Sequence, residues 1–315
     1  MKVKIIIILL LIFIILYTND KYLSKIEKFE SNILYFKLNY GRGNFGDSVN
    51  KVFWSKMSGK KIIDNNKGKH YLTTGSIMEL CNNNSIIFGT GFISDNSDLG
   101  GNLFNSNTNK KKTNPKVIAV RGPKTRKKLL EMNINCPKNY GDPLILFPCI
   151  YNKKPLKNSK LIIGIIPHYV DFNNKNVNTL IKNLNNNNYN TKKINILVGE
   201  DYEKFLSKIN DCDVIISSSL HGVIMGIVYK KKTIFIEFSK NVVGGRFKFN
   251  DFFESINIKY DVKNIYDEKI LHNIIKVNYD KLNKTALKLL ELCPFIDNNR
   301  KKILSKKYKD YYNTN

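Results

Sequence analysis

Arginine is scarce in this 315-residue chain: of 52 basic residues only those at 42, 121, 126, 246 and 300 are arginine, the rest lysine. Five cysteines (Cys81, Cys136, Cys149, Cys212, Cys293) are scattered without a C-x-x-C pair. That excludes a zinc ribbon, a thioredoxin-type redox motif and a disulfide framework. The cysteines read as buried small hydrophobes, with one opportunistic disulfide in an oxidising lumen left open. No G-x-S-x-G elbow or P-loop occurs, so hydrolase and ATP readings lose their usual support. No repeat of solenoid period is present. After the first twenty residues no apolar run is long enough to span a bilayer.

What is present is enough for a globular body. The hydrophobic fraction is 42% and the aromatic fraction 11%, and the length suits two domains or one large α/β unit. Lys+Arg 52 against Asp+Glu 26 gives a net charge of +26. That charge does not point to nucleic acid, because the lysines are dispersed and track an Asn-, Lys- and Ile-rich composition typical of AT-rich codons. In such a lysine-saturated chain each arginine suggests a need for a planar two-pronged fork that lysine cannot supply.

The unbroken apolar run Ile5–Leu16, after Lys2 and Lys4, ends at Thr18-Asn19-Asp20-Lys21. No small-x-small cleavage site follows, so residues 1–20 are read as a single-pass signal anchor, with a cleaved signal peptide as the competing reading. The body is then expected to be lumenal or extracytoplasmic. Lysines on both sides leave the orientation unfixed by charge.

From Asn32 onward β-branched runs alternate with amphipathic stretches, the pattern of parallel sheets wound with helices. Strands are predicted at Ile33–Phe36, Ile86–Phe88 and Val117–Val120 and a helix at 124–131, with polar loops at 60–70 and 95–114. The aperiodic stretch Cys149–Ser159 divides this half from a second one. There, strands are predicted at 161–166, 194–198, 214–216 and 233–238, and helices at 202–209 and 223–229. Residues 265–292 read as largely helical. The expected organisation is an anchor (1–20), two Rossmann-like lobes (21–150 and 151–295) with ligand in the cleft at the strand carboxyl ends, and a loose polar tail (296–315).

The motifs fall where such a cleft would lie. Gly41-Arg42-Gly43-Asn44-Phe45-Gly46-Asp47 follows the first strand, where glycines allow backbone to approach an anion and Asp47 can cap a helix. Val120-Arg121-Gly122-Pro123 ends a strand in an arginine. The sharpest signal is Val214 to Gly222, a buried strand running through Ser217-Ser218-Ser219 to Leu220-His221. A histidine in the first turn of a helix there is placed to exchange protons. Pro167-His168-Tyr169 closes the first strand of the second half. Gly244-Gly245-Arg246-Phe247-Lys248 suits a phosphate or carboxylate clamp.

Together with Gly89-Thr90-Gly91-Phe92, Tyr140-Gly141-Asp142-Pro143 and Lys248-Phe249-Asn250-Asp251-Phe252-Phe253, this ordered set resembles the polysaccharide pyruvyl transferase family from about Leu34 to Ile256. The resemblance implies a GT-B-like fold and transfer of a pyruvyl group from phosphoenolpyruvate to two sugar hydroxyls of a glycan, with no cofactor or metal. It implies His221 as the catalytic acid or base. Donor contacts would come from Arg121, Ser219, Leu220, Arg246 and Lys248, and Asn44, Gly46, Asp47 and His168 would face the acceptor. Members of that family carry arginine before the Leu-His pair where this chain has Ser219, so one donor-anion contact is either missing or supplied by Arg121, Arg246 or Lys248. A nucleotide-sugar glycosyltransferase on the same architecture, and a non-catalytic membrane-anchored glycan-binding protein, are the alternative readings.

Overall fold

The computed structural model describes residues 33–36, 38, 43–65, 68–99, 113–153 and 160–314. The expected anchor and Arg42 lie outside these residues. Among the described residues no helix is long and apolar enough to cross a membrane.

Two parallel sheets carry the fold. The first contains β1 (Ile33–Phe36), β2 (Lys61–Asp64), β3 (His70–Leu72), β4 (Ser85–Phe88) and β5 (Lys116–Ala119), in the order β2-β1-β3-β4-β5. The second contains β6 (Ile162–Ile166), β7 (Asn190–Lys193), β8 (Val214–Ser217) and β9 (Lys232–Phe235), in the order β7-β6-β8-β9. In each, the first strand has the second on one side and the third on the other. The chain therefore leaves those two central strands in opposite directions, and a crevice opens at their carboxyl ends. One crevice lies between β1 and β3, the other between β6 and β8.

Nine helices are described: α1 (Phe45–Ser48), α2 (Asn50–Ser58), α3 (Pro123–Glu131), α4 (Lys175–Asn186), α5 (Tyr202–Asn210), α6 (Leu220–Val228), α7 (Phe247–Ser255), α8 (Tyr279–Leu292) and α9 (Asn298–Thr314). Pro123 opens α3, where a missing N–H costs nothing. Every residue of α6 is buried, as a helix apolar on all sides must be, and it packs on β8 and β9.

Three expectations are corrected. The 60–70 stretch contains β2, whose Lys61 and Asp64 are exposed and disguise Ile62. The edge strand of the second sheet is Asn190–Lys193, not 194–198; the latter segment leaves the sheet, and Leu197 bridges antiparallel to Asn44 of the first half. Residues 265–292 are largely helical as expected, through a 3₁₀ turn (Glu268–His272) and α8 (Tyr279–Leu292). The tail is not loose: α9 buries Leu304, Tyr308 and Tyr311 while its lysines face outward. The last helices return to the first half, where Phe295 packs edge-on against Phe36, Trp54, Tyr71 and Phe88, and Arg300 donates to the carbonyls of Met57 and Lys56 at the end of α2.

The two halves are joined by a buried ion pair. Arg121, fully buried just beyond β5, donates from Nε to Asp251 Oδ2 of α7 at 3.1 Å. Asp251 also accepts from the Thr125 backbone N–H (2.9 Å) and hydroxyl (2.7 Å). Gly122 makes this approach possible, since a Cβ there would lie 1.8 Å from the Asp251 carbonyl oxygen. A second seam is backbone only: Phe45 N–H donates to Ile196 O (2.9 Å), and Val198 and Gly199 N–H donate to Gly43 O (3.0 and 2.9 Å). Gly43 sits at φ +78°, a conformation that favours glycine.

Asp251→Ala would strand a guanidinium in the interior and is expected to destabilise by roughly 3–5 kcal/mol, read as a lower urea midpoint. Gly122→Ala should also lower the midpoint without touching a charge. Unchanged midpoints in both would mean that this joint does not hold the halves together.

Candidate active site at the joint of the two sheets

The two crevices meet. From the first sheet, the chain leaves β1 into Gly43-Asn44 and α1, and leaves β3 into Thr73-Thr74-Gly75-Ser76. From the second, it leaves β6 into His168 and β8 into Ser217-Ser218-Ser219 and α6. They meet at Gly46 and His221: a Cβ at Gly46 would fall 1.7 Å from His221 Nδ1. Only a glycine lets the backbone lie flat against that imidazole.

His221 is buried, and its Nε2 has no hydrogen-bond partner among the described residues. Burial, reinforced by the charges of Lys248, Arg121 and His168, pushes its pKa down to about 3. His168 is also buried. Burial and then Lys248 lower it to about 3. Its backbone N–H donates to Ser218 Oγ (2.8 Å), and its Nδ1 accepts from the Val170 N–H (3.4 Å), so the proton of the neutral ring sits on Nε2. The Ser218 hydroxyl in turn donates to the buried Asp171 (3.1 Å). Both imidazoles are therefore neutral near pH 7.

Lys248, in the first turn of α7, is buried too. No carboxylate among the described residues lies within ion-pair distance of it, and its nearest aromatic face, Phe249, is 5.8 Å away. Burial and then Arg121 push its pKa down to about 8, against the pull of Asp47. Asp47 is raised to about 6, mostly by burial, with Lys248 and the Asn44 amide opposing. Asn44 Nδ2 reaches Asp47 Oδ2 at 3.5 Å, and Asn44 Oδ1 has no partner. Thr74 brings another buried orphan, its Oγ1, beside Gly75, where a Cβ would meet Asp47 Oδ1 at 3.0 Å.

The structure thus brings together His221, Lys248, His168, Asp47, Asn44 and Gly46. It does not bring the arginines with them. Arg121 is turned inward, its fork committed to Asp251, Ser76 Oγ (2.6 Å) and the Phe92 carbonyl (2.5 Å). Arg246 stands at the exposed edge and is held by Glu237 Oε2 (2.9 and 2.5 Å). Ser219 caps α6 from an extended conformation without a side-chain bond, and Leu220 is a core residue. Thr74 and Gly75 went unread in the sequence; the signal was Thr-Thr-Gly-Ser directly after an apolar pair, hidden beside a stretch taken for loop. All five cysteines are buried and unpaired, and burial raises every thiol, so none is a poised nucleophile.

Residues 15–240 match the family model described as polysaccharide pyruvyl transferase. The chain is also similar to the uncharacterized protein L143 of Acanthamoeba polyphaga mimivirus, with 26% identity over 239 residues, 73% of this chain and 77% of that protein. The family match takes in both crevices and the strand that delivers His221, and it spans well over half the sequence: the chain belongs to the polysaccharide pyruvyl transferase family.

Proposed function

We propose that the protein transfers a pyruvyl group from phosphoenolpyruvate to two hydroxyls of one sugar residue, in a GT-B-like pair of Rossmann lobes. The balance needs no further reagent. One hydroxyl proton ends on the enol CH₂, making it a methyl, and the other leaves with inorganic phosphate. Two C–O bonds form at the former enol carbon while its bond to the phosphate oxygen breaks. In this reading the Ile5–Leu16 run anchors the chain, and the body works on the lumenal or extracytoplasmic side.

The observation that carries the reading is Lys248, a buried ammonium without a carboxylate partner beside two neutral imidazoles. A buried cation held this way is costly unless an anion joins it, and phosphoenolpyruvate brings a carboxylate and a phosphate. His221 is the general acid–base: its free Nε2 takes a hydroxyl proton and returns it to the enol carbon or the leaving phosphate. Its pKa of about 3 reflects burial and the positive charges of Lys248 and Arg121. A bound anion offsets the neighbouring positive charges and raises imidazole basicity. His168 offers Nε2–H to a donor oxygen. Asp47 and Asn44 orient the acceptor.

Phosphate release from phosphoenolpyruvate should depend on added β-galactoside or N-acetylhexosamine acceptors, and His221→Ala should reduce it roughly 10²–10⁴-fold without unfolding. Thermal stabilisation by a nucleotide-sugar with no phosphate release would instead favour a glycosyltransferase.

Asp47 and Lys248 set the pH range. If Asp47 acts ionised and Lys248 protonated, kcat/KM rises through about pH 6 and falls through about pH 8. Phosphate monoesters also titrate near 6, so the acid limb is assigned by Asp47→Asn, which should abolish it if it belongs to Asp47. The stability sign is opposite. The folded pKa of Asp47 lies above its ordinary value, so the native state favours the protonated form, and ionisation costs stability progressively from about pH 4 to 6. Asp47→Asn should therefore raise Tm at pH 8 and leave it nearly unchanged at pH 4, while lowering activity. A lower Tm at pH 8 would make Asp47 structural.

A further inference from the structure

Beside the joint, on the carboxyl edge of the second sheet, lies a cavity of about 380 Å³ that the mechanism leaves unused. Its floor is the aromatic pair Phe235 and Phe249, stacked with centroids 3.9 Å apart and planes within 12°. Its polar wall comes from Ser218, Glu237, Ser239 and Asn241. Ser218 also holds the His168 backbone, and Phe249 follows Lys248, so two of the lining residues adjoin groups proposed to do the chemistry.

The shape of this cavity is built in. Ser218 and Ser239 both donate to Asp171, at 3.1 and 2.5 Å, and Ser239 Oγ accepts from the Asn241 N–H at 3.0 Å. The loop between β9 and α7 is pressed onto the first half at Gly244, φ +78°, where a Cβ would meet the Ile93 carbonyl oxygen at 1.9 Å. Both serine hydroxyls are occupied in this bracing. Recognition of a ligand therefore falls to the Glu237 carboxylate and the Asn241 side chain, above an apolar floor.

The charge of the wall selects the ligand. Arg246 is tied to Glu237, and the remaining cation, Lys240, is exposed. Burial works to raise Glu237, but its hydrogen bonds from Arg246 and Asn264 prevail and keep it below the ordinary carboxyl range, hence ionised. With Glu237 balanced by Arg246 and Lys240 standing in solvent, the wall holds no buried unpaired cation of the kind that Lys248 offers phosphoenolpyruvate. A neutral polyol ring with one apolar face and a hydroxyl edge fits both floor and wall. The volume is at the lower end of the roughly 300–1,000 Å³ of small-molecule sites, room for a single ring rather than a long oligosaccharide.

We infer that this cavity is the subsite for an uncharged hexopyranose of the acceptor glycan, with Glu237 accepting its hydroxyls and Asn241 setting acceptor specificity. The inference rests on the transferase reading for the ring's role, but the binding itself can be measured without turnover.

The test uses Asn241→Trp, which fills the cavity from an exposed loop, and Glu237→Gln, which keeps the shape and removes the charge. Acceptor KM should rise at least tenfold in both, with the phosphoenolpyruvate KM within twofold of wild type. Unchanged acceptor KM in both variants, or an equal rise for phosphoenolpyruvate, would overturn the assignment. In parallel, saturation-transfer NMR with methyl β-galactopyranoside and methyl β-N-acetylglucosaminide is run on wild type and Asn241→Trp without phosphoenolpyruvate. Glycoside binding lost in the variant supports the subsite even if wild type releases no phosphate, in which case only the transferase reading fails. No binding of either glycoside to wild type would overturn the subsite.

Discussion

The Arg121–Asp251 pair is the constraint on which the site depends. It fixes α7 of the second half against the end of β5 in the first, with Gly122 lying against the Asp251 backbone. Lys248 precedes Asp251 by three residues on the same helix, so both sit on one face. Asp251 meets the guanidinium, and Lys248 is thereby delivered into the joint with no carboxylate at ion-pair distance, Asp47 acting on it only from farther off. The same pair removes Arg121 from any ligand-binding role. A guanidinium that already satisfies Asp251, Ser76 and Phe92 could turn to an anion only by leaving a buried carboxylate unpaired, and breaking a buried pair on one side is strongly unfavourable.

This explains what the sequence could and could not tell. Scarce arginines did mark places needing a planar fork. Yet among the described residues all four forks close on the protein itself: Arg121 on Asp251, Arg126 on the Cys136 carbonyl, Arg246 on Glu237 and Arg300 on the end of α2. Composition reveals that a bidentate donor is needed but not which acceptor it meets, since the partners of Arg121 and Arg300 are 130 and 243 residues away. His221 was legible because a β-branched buried strand followed by serines and a histidine is a local pattern. Gly46 and Asp47 were legible as a glycine-rich turn, although their contact with His221 is a tertiary fact.

Two of the strands that escaped notice, β2 and β7, share a physical cause, whereas the interior β3 is only three residues long. β2 and β7 are edge strands, and edges carry Lys, Asn and Asp because an apolar edge would invite pairing with another chain. Those residues read as loop. For α9 the error ran the other way. Its many lysines suggested a solvated tail, but Leu304, Tyr308 and Tyr311 at helical spacing form one buried stripe, which the charge of the other face concealed.

The chemistry of the joint follows from two sheets that share one winding rule. Each sheet opens a crevice at its own carboxyl edge, and the seam of Gly43–Phe45 with 196–199 holds the two openings face to face. One crevice supplies an acid and an amide, Asp47 and Asn44; the other supplies two imidazoles; and α7, anchored by Asp251, supplies the ammonium. Burial drives these groups in opposite directions, lifting Asp47 and depressing His168, His221 and Lys248. It thereby narrows the gap between Asp47 and Lys248, while it reverses the order of Asp47 and the imidazoles. Proton transfer between groups of similar pKa needs little driving force. A site that must take protons from two hydroxyls and return them to an enol carbon and a phosphate gains from that convergence. The unpartnered Asn44 Oδ1, Thr74 Oγ1 and His221 Nε2 are then polar atoms held ready for a ligand rather than defects of packing.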